Sequence, residues 1–363
     1  MRYLFFFVHP SKFHVFKRSI NKLIENGHTV DVLITSKDVL EDLVKSEGWS
    51  YTNIFPEGRK MNGIPAYLSA SINTFRTVIR LYKYTLKKEY DLFITDDLLV
   101  YIGRLKRVPT IVFTDDDLIV TKQFALVLSQ ATNILSPDIT DLGRYNAKKI
   151  NYPGYKELAY LHPNVFKPNI DVVKEFNPNL EPYFILRLVS LKAYHDVGMK
   201  GLEDSKVLKL ISMLENYGKV FITSERPLSE HFEKYRLTIE PAKIAHVLNY
   251  ARIFIGDSQT MTSEAAVLGT PSFRCSDFVG KITVMEEKVV KYRLSFNYPP
   301  AKFDDMVLKI QELLDGEKFD MVFQERKRTM LKDKIDLSAF MIWLFENYFS
   351  IDFSKPMPFH KFK

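Results

Sequence analysis

Short apolar runs separated by amphipathic stretches recur along the whole chain. Residues 3–8 form a continuous apolar run of the length of a buried strand. Phe13, Phe16, Ile20, Leu23 and Ile24 then recur at helical spacing, Gly27 ends that segment, and residues 30–35 read as the next strand. Strand, helix, glycine, strand is a βαβ unit and implies a parallel sheet. The pattern continues with strands at 92–95, 110–113 and 133–136, and with a helix at 67–88 that should bury Leu68, Ile72, Phe75, Ile79, Tyr82 and Leu86. Residues 151–168 carry three Pro and one Gly without a clear period and read as an interdomain connection.

A second series follows. Strands are expected at 183–190, 220–223, 236–239, 253–255 and 292–296, and helices at 203–216, 242–250, 303–314 and 337–349. The expectation is an α/β protein with an N-terminal Rossmann-like domain at 1–165, a C-terminal one at 166–350, and a loose tail at 351–363 whose Pro356 and Pro358 discourage regular structure.

Composition narrows the class. The 363 residues are 46% apolar and 26% charged, ordinary for a globular protein of two domains. Cys275 is the only cysteine, so no intramolecular disulfide forms, and a reducing, cytoplasmic setting follows. No apolar run reaches the roughly 20 residues of a membrane-spanning helix. A net charge of +7 suits anionic nucleotides or an anionic membrane surface, and no nucleic-acid recognition motif accompanies it. The 67–88 helix carries Arg76, Arg80, Lys83, Lys87 and Lys88, a face that either is solvated or rests peripherally on the inner face of a membrane.

Three places bear chemistry. Around residues 252–274, an apolar strand runs into Gly256-Asp257-Ser258, a short helix follows at 261–268, and Gly269 and Pro271 stop it. A polar turn at a helix N-terminus, at the carboxyl end of a strand, favours an anion. Glu264 lies in that helix among Ser263, Ala265 and Ala266, either as a ligand for a bound molecule or as a solvated helix charge. The loop 191–201 offers Lys192, His195 and Lys200, and with Arg274 these could face an anion such as a phosphate. In the first domain, the first strand-to-helix loop is expected to hold His9, Lys12 and His14, with His14 a candidate base, a surface residue or a cap. Asp96-Asp97 and Asp115-Asp116-Asp117 end two strands, where they could line a ligand crevice, cap helices or, less readily for consecutive carboxylates, hold a metal.

Asp257-Ser258, Glu264-Ala265, Leu268-Gly269 and Pro271 together resemble the nucleotide-sugar motif of the GT-B superfamily. That superfamily holds two-domain glycosyltransferases and the non-hydrolysing UDP-N-acetylglucosamine 2-epimerases. Gln259-Thr260 stands where the epimerases usually have a Gly-Gly pair, and Ser263 where they have a second Glu. Over nearly its whole length the chain also resembles the family called domain of unknown function 354, through residues 152–157 (YPGYKE) and 195–201 (HDVGMKG).

The resemblance implies a GT-B-like fold, two facing Rossmann-like domains with a ligand cleft between them. It further implies that Ser258, Gln259 and Thr260 face a diphosphate and that Glu264 binds a ribose. Similarity of His14-Val15-Phe16 to a glycosyltransferase Gly-His-Val-Phe run makes His14 the expected base, with Asp96 or Asp97 behind it. The implied activity is transfer of a sugar from a nucleotide-diphosphate donor to a hydroxyl of a glycan or lipid-linked acceptor, in surface glycan or glycolipid synthesis. No cofactor or metal is expected. A nucleotide-sugar 2-epimerase and a non-catalytic sugar-nucleotide-binding protein are the alternatives.

Overall fold

The computed structural model describes residues 1–37, 39–59, 66–190, 202–277, 279–316 and 319–363. Contacts divide the chain into two compact units, Met1–His162 with Ile335–Lys363, and Pro163–Lys334.

The first unit alternates β1 (Arg2–Phe7), α1 (Pro10–Glu25), β2 (Thr29–Ile34), α2 (Leu40–Ser46), β3 (Tyr51–Asn53), α3 (Ala66–Thr85), β4 (Leu92–Thr95), α4 (Leu99–Lys106), β5 (Thr110–Phe113), α5 (Ala125–Gln130), β6 (Asn133–Pro137) and β7 (Lys149–Tyr152). All seven strands are parallel, in the order β3-β2-β1-β4-β5-β6-β7. From Tyr3 to Phe7 every residue of β1 is fully buried, which is why this stretch shows no apolar-polar alternation. Helix α1 starts on Pro10, whose fixed φ suits a first helical position, and His9 caps it by accepting from the Ser11 N–H at 3.1 Å.

Three expectations are corrected here. Helix α3 exists, but Leu68, Ile72, Phe75, Ile79, Tyr82 and Leu86 lie on its exposed side, while Thr77, Leu81 and Thr85 face the core. A long helix with two apolar rows can meet a sheet with either, and the sequence period does not choose. Residues 149–152, partly assigned to the connection, form edge strand β7. The C-terminal segment does not belong to the second domain, nor does it end in a loose tail. Helix α13 (Leu337–Asn347) packs on α1, with the Tyr3 hydroxyl donating to the Phe345 carbonyl at 3.2 Å and Arg18 paired to Asp336 at 3.0 Å. Beyond it Phe362 is buried, 5.5 Å from the Phe340 ring.

The second unit contains α6 (Asp171–Lys174), β8 (Tyr183–Leu188), α7 (Asp204–Leu214), β9 (Lys219–Ser224), α8 (Ile244–Tyr250), β10 (Ile253–Gly256), α9 (Gln259–Leu268), β11 (Ser272–Cys275), α10 (Thr283–Val290), β12 (Ser295–Tyr298), α11 (Phe303–Leu314) and α12 (Phe319–Asp333). Its five parallel strands run in the order β12-β11-β10-β8-β9. The strand expected at 236–239 reduces to one isolated bridge from Arg236 to Ile222.

In each sheet the strand order reverses once, between β1 and β4 in the first unit and between β8 and β10 in the second. Ligands of open α/β sheets bind outside the carboxyl ends of the strands at such a reversal, where the flanking connections leave on opposite faces and open a crevice.

Candidate functional site

In the second unit the reversal is flanked by Asp257, directly after β10. Its Oδ1 accepts from the Val189 N–H at 2.8 Å and its Oδ2 from the Leu202 N–H at 3.3 Å. Asp257 therefore fastens backbone on either side of the 191–201 stretch, and burial pushes its carboxyl pKa up. Ser258 follows as N-cap of α9, its Oγ accepting from the Met261 N–H at 3.4 Å and its carbonyl taking the Thr262 N–H at 3.1 Å. Helix α9 starts at Gln259, so Gln259 and Thr260 occupy its first turn and not a loop before it. There the N–H groups have no intrahelical acceptor and point out of the helix end. Gly269 closes the helix at φ +85°, in the left-handed position its sequence implies, and a Cβ there would come within 2.8 Å of Lys327.

Glu264 is buried, at 8% exposure, as is every residue from Met261 to Leu268. That removes the solvated-charge alternative, since an ionised carboxylate is kept inside a protein only where it has partners. Arg274 on β11 is also buried, at 2% exposure. Its register neighbours are Gly256 on β10 and Asn297 on β12, and Gly256 is in turn level with Arg187 on β8. Arg187, Arg274 and Asn297 thus stand in one row across the sheet near the carboxyl ends of its strands. Arg187 pairs with Glu225, while its Nε and the Asn297 Oδ1 are buried without a hydrogen-bond partner. Neither residue was expected in the site. The available signal was a lone Arg in the otherwise apolar run 183–188, which is unusual for a buried strand. Lys192, His195 and Lys200 lie outside the described residues.

The first unit has its own polar crevice. A pocket of about 370 Å³ is lined by Lys12, Asp96, Phe113, Thr114, Asp116, Thr121, Gln123 and Phe124. Asp96 follows β4 at the strand reversal, and its Oδ1 is shut off from solvent with no hydrogen-bond partner. Burial pushes its carboxyl up to about 7, against the attraction of Lys12. Asp116 is likewise raised, by burial and then by the charge of Asp115.

Asp115 is held differently. Burial alone would raise it, yet Lys12 at 3.1 Å and Lys156 at 2.7 Å keep it well below the usual carboxylate range. Asp117 accepts the Asp141 N–H at 2.8 Å. Asp97 takes the Leu98 N–H at 2.8 Å and pairs with Arg59 at 3.3 Å, and burial raises its pKa. Capping of the following helices is therefore not what these carboxylates do, and α4 has no side-chain cap at all.

His14 is not in a loop. It sits one turn into α1 with its ring 5.3 Å from Phe13 and 5.4 Å from Tyr160, and it does not line the pocket. Burial, and then Lys17, lower its pKa to about 4. Asp96 and Asp116 are thus brought into one pocket with Lys12, and His14 is left outside it.

Two parallel sheets of this order make this a GT-B-like α/β protein. Solved structures agree on the fold. A putative UDP-N-acetylglucosamine 2-epimerase from Listeria monocytogenes superposes with a TM-score of 0.68 at 12% identity, covering 97% of this chain and 97% of its own. The UDP-GlcNAc 2-epimerase from Neisseria meningitidis bound to UDP-GlcNAc gives 0.64 at 13% identity, covering 97% and 100%. The glycotransferase of kitacinnamycin gives 0.60 at 13% identity, covering 95% and 98%. The chain belongs to the family described as Protein of unknown function (DUF354), whose model matches residues 9–294. No curated protein matches it.

Proposed function

We propose that the second unit binds a nucleotide-diphosphate sugar, and that the protein is a metal-independent glycosyltransferase moving that sugar to a hydroxyl of a glycan or lipid-linked acceptor. One observation carries the reading: buried Glu264 lies on the same short helix whose Ser258-capped N-terminus opens at the strand reversal. An anion at that N-terminus is stabilised by the first-turn N–H groups and the helix dipole. Glu264 follows one to two turns later, at ~1.5 Å per residue the span from a diphosphate to its ribose. As an acceptor-only group it fits a pair of ribose hydroxyls.

In the transfer, a base takes the proton of the acceptor hydroxyl, whose oxygen attacks the anomeric carbon as the bond to the diphosphate breaks. The leaving diphosphate gains negative charge, which the α9 N–H groups and neighbouring cations stabilise. For the base, the first unit's geometry favours Asp96 over His14. A carboxyl raised to about 7 is matched to proton transfer at neutral pH, whereas an imidazole lowered to about 4 is a weak base held against aromatic rings.

A second reading, nucleotide-sugar 2-epimerase, is favoured by the presence of two raised carboxyls, Asp96 and Asp116, in one pocket. Removing a proton and returning one on the other face uses two acid–base groups, and direct displacement uses one. Incubation with the donor alone separates the two. An epimerase changes the sugar configuration, and a transferase gives at most slow hydrolysis until an acceptor is added. Failure of all sugar nucleotides to bind the isolated chain would overturn both.

A further inference from the structure

Helix α3 of the first unit is apolar on two sides. On one side Leu81 enters the core beside Leu4, Phe6 and Phe93. On the other, Leu68, Ile72, Phe75, Ile79, Tyr82 and, just past the helix end, Leu86 are 44, 37, 68, 36, 40 and 54% exposed. Their spacing alternates four and three residues, which keeps a straight seam along one side of the helix. Single exposed apolar side chains are ordinary, but five aligned on one helix with a sixth just past its end mark a contact surface.

Charge identifies the occupant. From Ala66 to Lys88 the sequence has five basic residues and no Asp or Glu. Arg76 and Arg80 share the single carboxylate of Glu57, at 2.7 and 2.6 Å, and lie over the Phe55 ring. Lys88 approaches Asp31 at 3.7 Å. Lys83 and Lys87 stay exposed at the C-terminal end of the seam. Two copies zipped along this seam would need acidic residues on the helix to face those lysines, and it has none. An anionic lipid surface supplies an apolar layer and negative charge together. Among the described residues no helix is long and apolar enough to cross a membrane, so the contact is one of lying on it.

We propose that α3 docks on bilayers containing anionic phospholipids, with its apolar seam in the headgroup–acyl boundary and Lys83 and Lys87 on the phosphates. This contact does not depend on the second unit binding a sugar nucleotide.

Flotation of the full chain with vesicles of phosphatidylcholine alone, or of phosphatidylcholine mixed with phosphatidylglycerol, tests it. The chain should float with the mixed vesicles and be released as salt rises. Phe75→Ser and Ile79→Ser should each weaken vesicle binding at least about tenfold, and Lys83→Glu with Lys87→Glu by more than about tenfold together. All four positions are exposed, so unchanged thermal melting confirms the variants' folding, and UDP binding should not move. Absence of binding to the mixed vesicles, or equal binding to both vesicle types, overturns the proposal. So does a wild-type dimer in light scattering that Phe75→Ser converts to monomer, which would assign the seam to a second copy.

Discussion

Asp257 accepts the backbone N–H of Val189 at 2.8 Å, joining the residue after β10 to the one after β8 across the strand reversal. With the Leu202 N–H on its other oxygen, its buried carboxylate holds backbone on both sides of a strand connection. Asp257→Ala leaves two N–H groups unpaired, at a cost of about 1–3 kcal/mol each. Asp257→Asn retains one carbonyl acceptor and should lose less. Denaturant midpoints of the two variants check the ordering. An alanine variant within about 0.5 kcal/mol of the native chain would show that the fastening is idle.

The pH dependence of turnover separates Asp96 from His14. A base acts unprotonated, so with Asp96 the rate climbs with pH to a plateau above about 7. Stability runs the other way. A carboxyl raised on folding binds its proton more tightly in the native state, so its contribution is complete below about 3.9 and is lost as pH rises through about 7. Asp96→Asn should lower the rate by ~10²–10⁴-fold and abolish the limb near neutrality. It should also make the protein more stable at alkaline pH. A flat profile from pH 5 to 8, with Asp96→Asn near full rate, would return the role to His14, whose limb falls near 4.

Asp115 should matter for folding before it matters for chemistry. It is the shared partner of Lys12 and Lys156, and all three side chains are largely buried. Asp115→Asn removes the carboxylate that pairs with both ammonium groups, and breaking a buried pair in this way costs about 3–5 kcal/mol. Native Asp115, held low, contributes stability that is present above about 3.9 and lost as pH falls below it. Thermal melting of native and variant protein between pH 3 and 7 should show the gap closing at the acid end.

Turnover is expected to survive chelation. The charge needed by a departing diphosphate can come from the α9 N-terminus and from the cationic side chains Arg187 and Arg274 near the carboxyl ends of β8 and β11. Complete loss of activity in chelator, restored by Mg²⁺ or Mn²⁺, would contradict this and turn attention to Asp115, Asp116 and Asp117.

Much of the second unit's candidate site is legible locally. Ser258 as cap and Gly269 as left-handed stop are short-range requirements written in the residues themselves, and the structure keeps both. The burial of Glu264 is not local, because a ten-residue helix reads the same whether one face or all of it is covered. Register is less local still. Arg187, Arg274 and Asn297 come into one row only once four strands, β8, β10, β11 and β12, are aligned. The same limit explains the C-terminal helix, whose return to α1 spans most of the chain, and α3, where two apolar rows compete for one core. The expected loop position of His14 fails for a different reason: α1 already starts at Pro10 with His9 as its cap, so His14 lies one turn into the helix.

Titration of UDP and other nucleoside diphosphates into native protein, Glu264→Gln and Glu264→Ala tests the account's central claim most directly. Hydrogen bonds from hydroxyls to a carboxylate contribute on the order of 1.5–3 kcal/mol each, so removing the acceptor should weaken binding by roughly tenfold or more. The amide keeps the shape and one acceptor oxygen, and should fall between the other two. Thermal melting of each variant first establishes that it is folded. The account predicts one nucleotide bound by native protein, more weakly by Glu264→Gln and weakest by Glu264→Ala. A folded Glu264→Ala that binds every nucleotide as tightly as the native chain would contradict it.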